Sequence, residues 1–207
     1  MIYTKENIST ICNVSHETLQ DLQVFHDILL KWQKAINLIS SNTTKEVWHR
    51  HIADSVQLFS HIPTNIKSIV DLGSGGGLPA IVLAILLKNK NIKITMIESD
   101  KKKCVFLQEC VRTIGLNAIV INDRIEKITE KYDLDFDLVT ARALAPTNGL
   151  LEFCNKLGVK KCLFLKGKQY AQEISDAKKN WDIVEEIIPS ITAADSNIIN
   201  ILNFTKK

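Results

Sequence analysis

The sequence predicts an α/β fold in which a largely parallel sheet carries helices on both faces. From residue 66 onward, short apolar runs rich in β-branched residues alternate with helix-like stretches, a pattern typical of parallel strands joined by crossover helices. Residues 189–197 alone join the last two runs, so we expect these runs to pair antiparallel at the sheet edge. Residues 1–61 lack glycine and have helical periodicity. We therefore expect an N-terminal helical extension, residues 1–61, followed by a sheet-bearing unit, residues 62–207.

Composition limits the class of protein. The chain has 207 residues, of which 45% are hydrophobic, and a formal net charge of +3. A chain of this length can bury a core that needs neither metal nor disulfide. Its longest apolar run, residues 79–87, is too short to cross a membrane, and its N-terminus lacks the pattern of a signal peptide. The five cysteines have no metal-binding spacing, so we expect reduced thiols in a cytoplasmic protein without a membrane partner.

Two helices are predicted in the N-terminal extension. Ser15 is placed to cap the first, whose apolar residues recur near the helical period from Leu19 to Leu38. The motif Thr43-Thr-Lys-Glu46 predicts a capping box at the start of the second. The apolar side of that second helix carries Val47, Ile52, Val56 and Phe59.

The remaining elements follow from the alternation of the two patterns. Strands are predicted over residues 68–72, 92–97, 118–121, 136–140, 162–165, 181–188 and 198–204. Helices are predicted over residues 79–88, 101–114, 125–131, 147–155 and 169–178. In open α/β sheets, ligands bind at the carboxyl ends of the strands. The residues that follow each strand are therefore the candidates for a functional site.

A glycine-rich loop follows the first predicted strand. The stretch Asp71-Leu-Gly-Ser-Gly-Gly-Gly-Leu-Pro79 places four glycines within five residues, and its proline suits the first turn of the next helix. Glycines here let a ligand approach the backbone closely, because no Cβ stands in the way. A turn that was merely tight would need one glycine, so the loop predicts a binding site.

Asp71 determines which ligand the loop favours. A dinucleotide-binding pattern, G-x-G-x-x-A, fits from Gly75 to Ala80. The same pattern fails from Gly73, because Leu78 takes its last position, and the Gly-Lys-Ser/Thr of a P-loop is missing. A carboxylate two residues before the first glycine would repel the phosphates of a dinucleotide. It would attract the methionine ammonium of S-adenosylmethionine (SAM), directly or through water. The loop therefore favours SAM.

Polar residues also follow the second and third strands. Glu98 ends the second strand about 20 residues after the glycine loop, where a carboxylate can accept hydrogen bonds from both ribose hydroxyls. An ordinary surface carboxylate is the alternative. After the third strand, Ile125 offers an apolar face to an adenine, beside Glu126. Taken alone, Arg124 and Glu126 are more often a charge pair at a helix start.

Cations follow the fourth and fifth strands. Arg142 lies among small residues and can hold a carboxylate, a phosphate or a guanine edge, although a structural ion pair is a fair alternative. Lys166 repeats this arrangement after the fifth strand. Lysine pairs recur through the C-terminal two-thirds of the chain. They indicate either a solvated surface or a nucleic-acid footprint.

Several motifs occur in a fixed order along the chain. The most specific is Arg50-His-Ile-Ala-Asp-Ser55, which lies upstream of the glycine loop. The others are Asn37-Leu-Ile-Ser40, the glycine loop itself, Glu98-Ser-Asp-Lys-Lys-Lys-Cys-Val-Phe-Leu107, Arg124-Ile-Glu126, Thr140-Ala-Arg-Ala-Leu-Ala145 and Leu165-Lys-Gly167. Together they resemble the RsmG (GidB) methyltransferases, from about Leu30 to the C-terminus.

The resemblance implies a fold, a reaction and a cofactor site. The fold is a class I SAM-dependent methyltransferase, with a Rossmann-like seven-stranded sheet whose last strand pair is antiparallel, so residues 62–207 would be the methyltransferase domain. The reaction is methyl transfer from SAM to N7 of a specific guanosine in 16S rRNA of the small ribosomal subunit. By position, the resemblance assigns cofactor contacts to Gly73, Leu78, Ile125, Glu126 and Arg142. The chemistry of the residues adds Asp71, Gly75, Gly77 and Glu98.

RNA contacts are expected from Arg50, His51 and Lys166, which would meet phosphate or the guanine edge. For Arg50 and His51 the alternative is an internal helix pair with Asp54, since residues three and four apart face each other. Guanine N7 has an in-plane lone pair and no proton. We therefore expect no general base and no metal, and we expect Arg142 and Lys166 to act as positioning residues.

Three other functions stay open. A SAM-dependent methyltransferase acting on a small molecule or a protein would share the cofactor loop. A nicotinamide-dependent oxidoreductase would rest on the pattern from Gly75 to Ala80. A non-catalytic RNA-binding scaffold would keep the fold alone. Nothing in the sequence predicts a large apolar seam, so we expect a monomer.

Overall fold

The computed structural model describes residues 1–132 and 135–207, which contain one seven-stranded sheet. In chain order its strands are β1 (Ser68–Leu72), β2 (Lys93–Glu98), β3 (Ala118–Asn122), β4 (Leu138–Arg142), β5 (Cys162–Lys166), β6 (Trp181–Pro189) and β7 (Asn197–Lys206). The strands lie in the order β3-β2-β1-β4-β5-β7-β6, and β7 is antiparallel to both β5 and β6. The predicted α/β class, the seven strands and the antiparallel last pair are confirmed.

Helices cover both faces of this sheet. They are α1 (His16–Gln33), α2 (Asp54–Val56), α3 (Ala80–Leu86), α4 (Lys101–Ile114), α5 (Ile128–Lys131), α6 (Thr147–Lys156) and α7 (Tyr170–Ala177). Because successive side chains in a strand point to opposite faces, Ile69 of β1 joins one apolar cluster and Val70 joins the other. The first cluster includes buried residues of α1, α3 and α4, and the second includes those of α6 and α7. Within the described residues, no helix combines the length and the apolar character that a membrane crossing requires.

Helix α1 is fixed to the same layer as α3 and α4. It begins where the sequence predicts, since Ser15 Oγ accepts a hydrogen bond from the Thr18 amide at 3.1 Å. Trp32 Nε1 donates to a carboxylate oxygen of Glu109 in α4 at 3.0 Å. The residues that α1 buries in the first cluster include Leu22, Phe25 and Leu29. The N-terminal helices therefore share one apolar core with the sheet.

The capping box predicted at Thr43-Thr-Lys-Glu46 is wrong. The Thr43 hydroxyl donates to the Ser40 carbonyl at 2.8 Å and lies 2.7 Å from the His51 ring, so it does not cap a helix. The second helical segment begins later, with a π-helical turn at Trp48–Ala53 that continues through α2 into a 3₁₀ turn at Gln57–His61. π-helical turns occur frequently at functional sites, and this one carries His51.

Strand β4 lies two residues further along the chain than predicted. The carboxylate of Asp137 accepts hydrogen bonds from the backbone amides of Lys67 (2.7 Å) and Ser68 (3.0 Å), which fixes this residue at the entrance of the sheet. The shift makes Arg142 the last residue of the strand. The helix predicted over residues 125–131 is a 3₁₀ turn, Ile125–Lys127, followed by α5.

Candidate active site

A cavity of about 770 Å³ opens at the carboxyl ends of β1, β4 and β5. Its main walls are the N-terminal helical part within residues 38–54, the glycine loop at residues 73–78, the segment after β4 at residues 142–146, and the β6–β7 connection at residues 192–196. The volume falls within the range of small-molecule sites. The cavity lies at the sheet edge where the sequence predicts a ligand.

Each glycine of the loop meets a specific steric need. Three have positive φ angles that favour glycine: Gly73 (66°), Gly75 (51°) and Gly77 (75°). A Cβ on Gly73 would lie 2.6 Å from Cδ1 of Leu144 in the segment after β4. A Cβ on Gly76 would lie 2.8 Å from the carbonyl oxygen of Leu38. The loop is therefore packed tightly between two other walls of the cavity.

Glu98 holds the glycine loop from behind. One of its carboxylate oxygens accepts a hydrogen bond from the Gly75 amide at 2.8 Å, and the other accepts from the Asp100 amide at 2.8 Å. The side chain is buried and lies outside the cavity lining. A carboxylate has about four acceptor positions, so two remain for a further donor.

Asp71 is buried beneath the loop and is only 1% exposed. Its Oδ1 accepts a hydrogen bond from the Thr140 hydroxyl at 2.6 Å. Burial raises the pKa of Asp71 to about 6, because desolvation disfavours the charged form more than the hydrogen bonds from Ser74 and Thr140 favour it. The carboxylate thus lies behind the cavity wall, and burial holds its pKa above the ordinary value.

Arg142 is held from two sides at the cavity surface. Its Nη1 lies 3.3 Å from Oδ2 of Asp54, and its Nη2 lies 2.5 Å from Nδ1 of His51. Burial lowers the pKa of Arg142, whereas the Asp54 carboxylate raises it. Both partners come from the π-helical turn and α2, so the N-terminal part of the chain orients the cation that ends β4.

His51 is a neutral ring with both nitrogens in hydrogen bonds. Nδ1 accepts from Arg142, which can only donate. Nε2 lies 2.7 Å from the Thr43 hydroxyl, whose proton goes to the Ser40 carbonyl, so Nε2 carries the ring proton. Burial, followed by the charges of Arg142 and Arg50, lowers the pKa of His51 to about 3.

The internal helix pair considered for Asp54 is replaced by contacts with distant residues. Besides its ion pair with Arg142, Oδ1 of Asp54 accepts a hydrogen bond from the Thr192 hydroxyl at 2.7 Å. Arg50 Nη1 donates to the Thr192 carbonyl at 3.3 Å. The β6–β7 connection is thereby bonded to the N-terminal wall of the cavity.

Lys166, the last residue of β5, lines the cavity but is only 8% exposed. Its Nζ donates to the Ala145 carbonyl at 2.6 Å and to Oε2 of Glu173 at 2.7 Å. The cation predicted to face RNA is therefore paired within the protein.

Similarity to known proteins identifies the family. The family described as rRNA small subunit methyltransferase G (GidB) matches residues 18–201. This chain belongs to that family. The resemblance drawn from the motifs is thus confirmed.

Individual GidB-family relatives match nearly the whole chain. The ribosomal RNA small subunit methyltransferase G of Dinoroseobacter shibae is 43% identical over 188 residues, which cover 89% of this chain and 95% of that protein. The protein of the same name from Rickettsia bellii (strain OSU 85-389) is 39% identical over 195 residues, which cover 94% and 98%.

Solved structures share the fold. An O-methyltransferase from Bacillus cereus in complex with SAH superposes with a TM-score of 0.59 at 14% identity, covering 95% of this chain and 96% of that one. A SAM-dependent methyltransferase from Aquifex aeolicus gives a TM-score of 0.54 at 14% identity, covering 72% and 88%. These similarities confirm the methyltransferase-type sheet predicted from the sequence.

The structure of this GidB-family chain brings together part of the predicted site. The predicted residues in the cavity lining are Arg50, His51, Gly73, Gly75, Leu78, Arg142 and Lys166. Those outside the lining are Asp71, Gly77, Glu98, Ile125 and Glu126. Sequence reasoning missed Thr192 and Glu173, for which no local motif gave a signal, and it gave no role to Leu144 although the motif at residues 140–145 contains it. The spacing Arg50-His51…Asp54 did single out Asp54, although with a different partner.

Proposed function

We propose that this GidB-family protein is an enzyme that transfers a methyl group from SAM to N7 of a specific guanosine in 16S rRNA of the small ribosomal subunit. The observation that carries the proposal is the family match over residues 18–201, since this span contains every residue of the cavity lining. The relatives from D. shibae and R. bellii are named for methylation of small-subunit ribosomal RNA. A methyltransferase for a small molecule or a protein would share the fold but lacks this support.

The residues around the cavity fit SAM. The glycine loop offers backbone free of Cβ atoms, and the buried Leu78 adds an apolar wall. The Arg142 guanidinium faces the cavity and suits a carboxylate. Within the lining, we assign cofactor contacts to Gly73, Gly75, Leu78 and Arg142. For the predicted contacts outside the lining, the assignment rests on the sequence argument alone; these are Asp71, Gly77, Glu98, Ile125 and Glu126. When bound, SAM supplies an electrophilic sulfonium methyl group.

The protein's part in the reaction is to orient groups. Guanine N7 has a lone pair and no proton, so the reaction needs no general base. His51, the histidine in the cavity lining, is not available as a base, because both of its ring nitrogens are already in hydrogen bonds. Asp54 and His51 fix the Arg142 guanidinium, so the cation that would hold the methionine carboxylate of SAM is already oriented. Orientation of this kind can account for a large part of a rate enhancement.

RNA would enter on the side of the cavity formed by Arg50 and His51. Arg50 donates through Nη1 to the Thr192 carbonyl, and its guanidinium carries further N–H donors that can meet phosphate or a guanine edge. Lys103 adds a further positive charge to the cavity lining. We infer a monomeric cytoplasmic enzyme that uses no metal, with residues 1–61 as a helical extension of the methyltransferase domain at residues 62–207.

Methyl transfer to undermethylated small ribosomal subunits tests the proposal. With labelled SAM, we expect label at one guanosine of 16S rRNA, located by nucleotide mapping, and no label on fully methylated subunits. Arg142→Met should lose transfer, whereas Arg112→Met, at an exposed arginine of α4, should not. Label on protein or small molecules instead of rRNA, or no transfer by a folded chain that binds SAM, would contradict the proposal.

A further inference from the structure

We propose that Lys166 and Glu173 are positioning residues that fix the segment after β4, residues 143–147, as the wall against which the target base is placed. The inference rests on the proposed function and deepens it. Of the two roles that the sequence suggested for Lys166, it keeps positioning, names what is positioned, and replaces the contact with RNA.

The Lys166 ammonium is directed into the protein. With 8% of the side chain exposed, Nζ donates to the Ala145 carbonyl at 2.6 Å and to Glu173 Oε2 at 2.7 Å. An ammonium has three N–H donors, and two of those of Lys166 are used by the Ala145 carbonyl and the Glu173 carboxylate. With one donor free and little exposed surface, the Lys166 ammonium is poorly placed to bind an RNA phosphate.

Glu173 holds the same segment two residues further along. Its Oε2 accepts hydrogen bonds from the Thr147 amide at 3.0 Å and from the Thr147 hydroxyl at 3.2 Å. Thr147 is fully buried and is the first residue of α6. One ion pair, formed by β5 and α7, therefore holds the chain on both sides of Pro146.

The segment held in this way is strained and faces the cavity. Ala143 has a φ of 52°, a left-handed conformation that a residue with a Cβ rarely adopts and that persists only where its surroundings impose it. Leu144 lines the cavity, is 37% exposed, and packs on Gly73. Arg142 directly precedes it. The segment thus presents an apolar side chain to the cavity beside the glycine loop, which suits the face of a purine.

The rate of methyl transfer should depend on this ion pair. A displacement of about 1 Å in a reacting group can cost about 100-fold in rate. We expect Lys166→Met and Glu173→Ala each to lower kcat about 100-fold, with KM for subunits little changed. The double variant should lose no more kcat than the more impaired of the two single variants, because both substitutions break the same ion pair. Lys166→Arg, which keeps a donor cation, should restore part of kcat.

The salt dependence of subunit binding separates positioning from RNA contact. Loss of a lysine that contacts phosphate lowers the slope of log K against log salt by about 1. We expect Lys166→Met to leave this slope unchanged. The matched control is Lys168→Met, an exposed lysine two residues away, which should keep kcat at saturating subunits. A slope reduced by about 1 with unchanged kcat for Lys166→Met, or losses that multiply in the double variant, would overturn the inference.

Hydrogen exchange provides a test that needs no methyl transfer. The Thr147 amide donates to Glu173 Oε2, which Lys166 also contacts. Exchange of this amide should therefore be faster in Lys166→Met and in Glu173→Ala, and unchanged in Lys168→Met. Unchanged exchange in the first two would overturn the inference, while a wild type that transfers no methyl group would reject the proposed function alone. If Lys166→Met does not fold, Glu173→Gln takes its place, since it keeps an acceptor oxygen and removes the charge. It must lower kcat in the same direction for the inference to stand.

Discussion

Removing the Asp54 carboxylate should destabilise the protein chiefly through the guanidinium that it leaves without a partner. Asp54 Oδ2 lies 3.3 Å from Arg142 Nη1, and the two side chains are 15% and 20% exposed. Removing one partner of a buried ion pair costs about 3–5 kcal/mol, and the residual exposure here places Asp54→Ala at the lower end, about 3 kcal/mol. In a chain of this length, this corresponds to a fall in Tm of about 6–12 °C.

Thermal unfolding followed by circular dichroism measures this effect. Asp195→Ala, which removes an exposed aspartate from the β6–β7 connection, is the matched control and should change Tm by less than about 2 °C. Asp54→Ala combined with Arg142→Met should be more stable than Asp54→Ala alone, because the unpaired charge is gone. A single variant within about 2 °C of wild type, or a double variant less stable than the single one, would refute the reasoning.

Three further predictions concern pH and backbone strain. Because the pKa of Asp71 is about 6 in the folded state and 3.8 ordinarily, its contribution to stability is present below pH 3.8 and is lost as pH rises through 6. Asp71→Asn should abolish this loss, which amounts to about 3 kcal/mol in the free energy of unfolding measured by chemical denaturation. Parallel plots of that free energy against pH for the two proteins would contradict the prediction. The pKa of His51 falls from 6.5 to about 3, so its contribution is present above pH 6.5 and is lost as pH falls toward 3; an NMR titration should show no protonation of its ring at pH 6, and a ring that titrates near 6.5 would disprove the buried assignment. Gly73→Ala should lower the free energy of unfolding by about 1–3 kcal/mol and weaken SAM binding, because of the positive φ of Gly73 and its contact with Leu144. Gly167→Ala, where no atom lies within 4 Å of the added Cβ, should keep wild-type stability. Equal losses in both variants would argue against a steric cause.

Elements with strong local signals could be predicted from the sequence. Strand β1 and helix α4 have the predicted bounds, Ser68–Leu72 and Lys101–Ile114. The first is a β-branched run that ends in glycines, and Asp100 caps the second by accepting hydrogen bonds from the Lys102 and Lys103 amides. Strand β4 was displaced because Asp137 bonds to a residue 69 positions earlier. The false capping box fitted the motif, but its threonine bonds to His51 instead.

The location of the site could be predicted from the sequence, but the hydrogen bonds and ion pairs within it could not. The strand ends gave Arg142 and Lys166, since the edge of a parallel sheet follows from the strand pattern alone. The residues that bond to one another in the site are far apart in the sequence. Asp54 is 88 residues from its partner Arg142 and 138 residues from its other partner, Thr192. Sequence spacing does not report such distances. For the same reason the burial of Asp71 against Thr140 was not foreseen.

The bonds of Asp54 to both Arg142 and Thr192 have a consequence for how such chains can be recombined. A chimera joined at residue 62 from two diverged relatives would take the carboxylate from one parent and the guanidinium from the other, and a second crossover before residue 192 would divide the trio again. Where the parents differ at one of these positions, such a chimera would break the bonds, whereas exchanges that move the three together would keep them. Residues far apart in the polypeptide therefore build this pocket jointly, and neither part is a separable module.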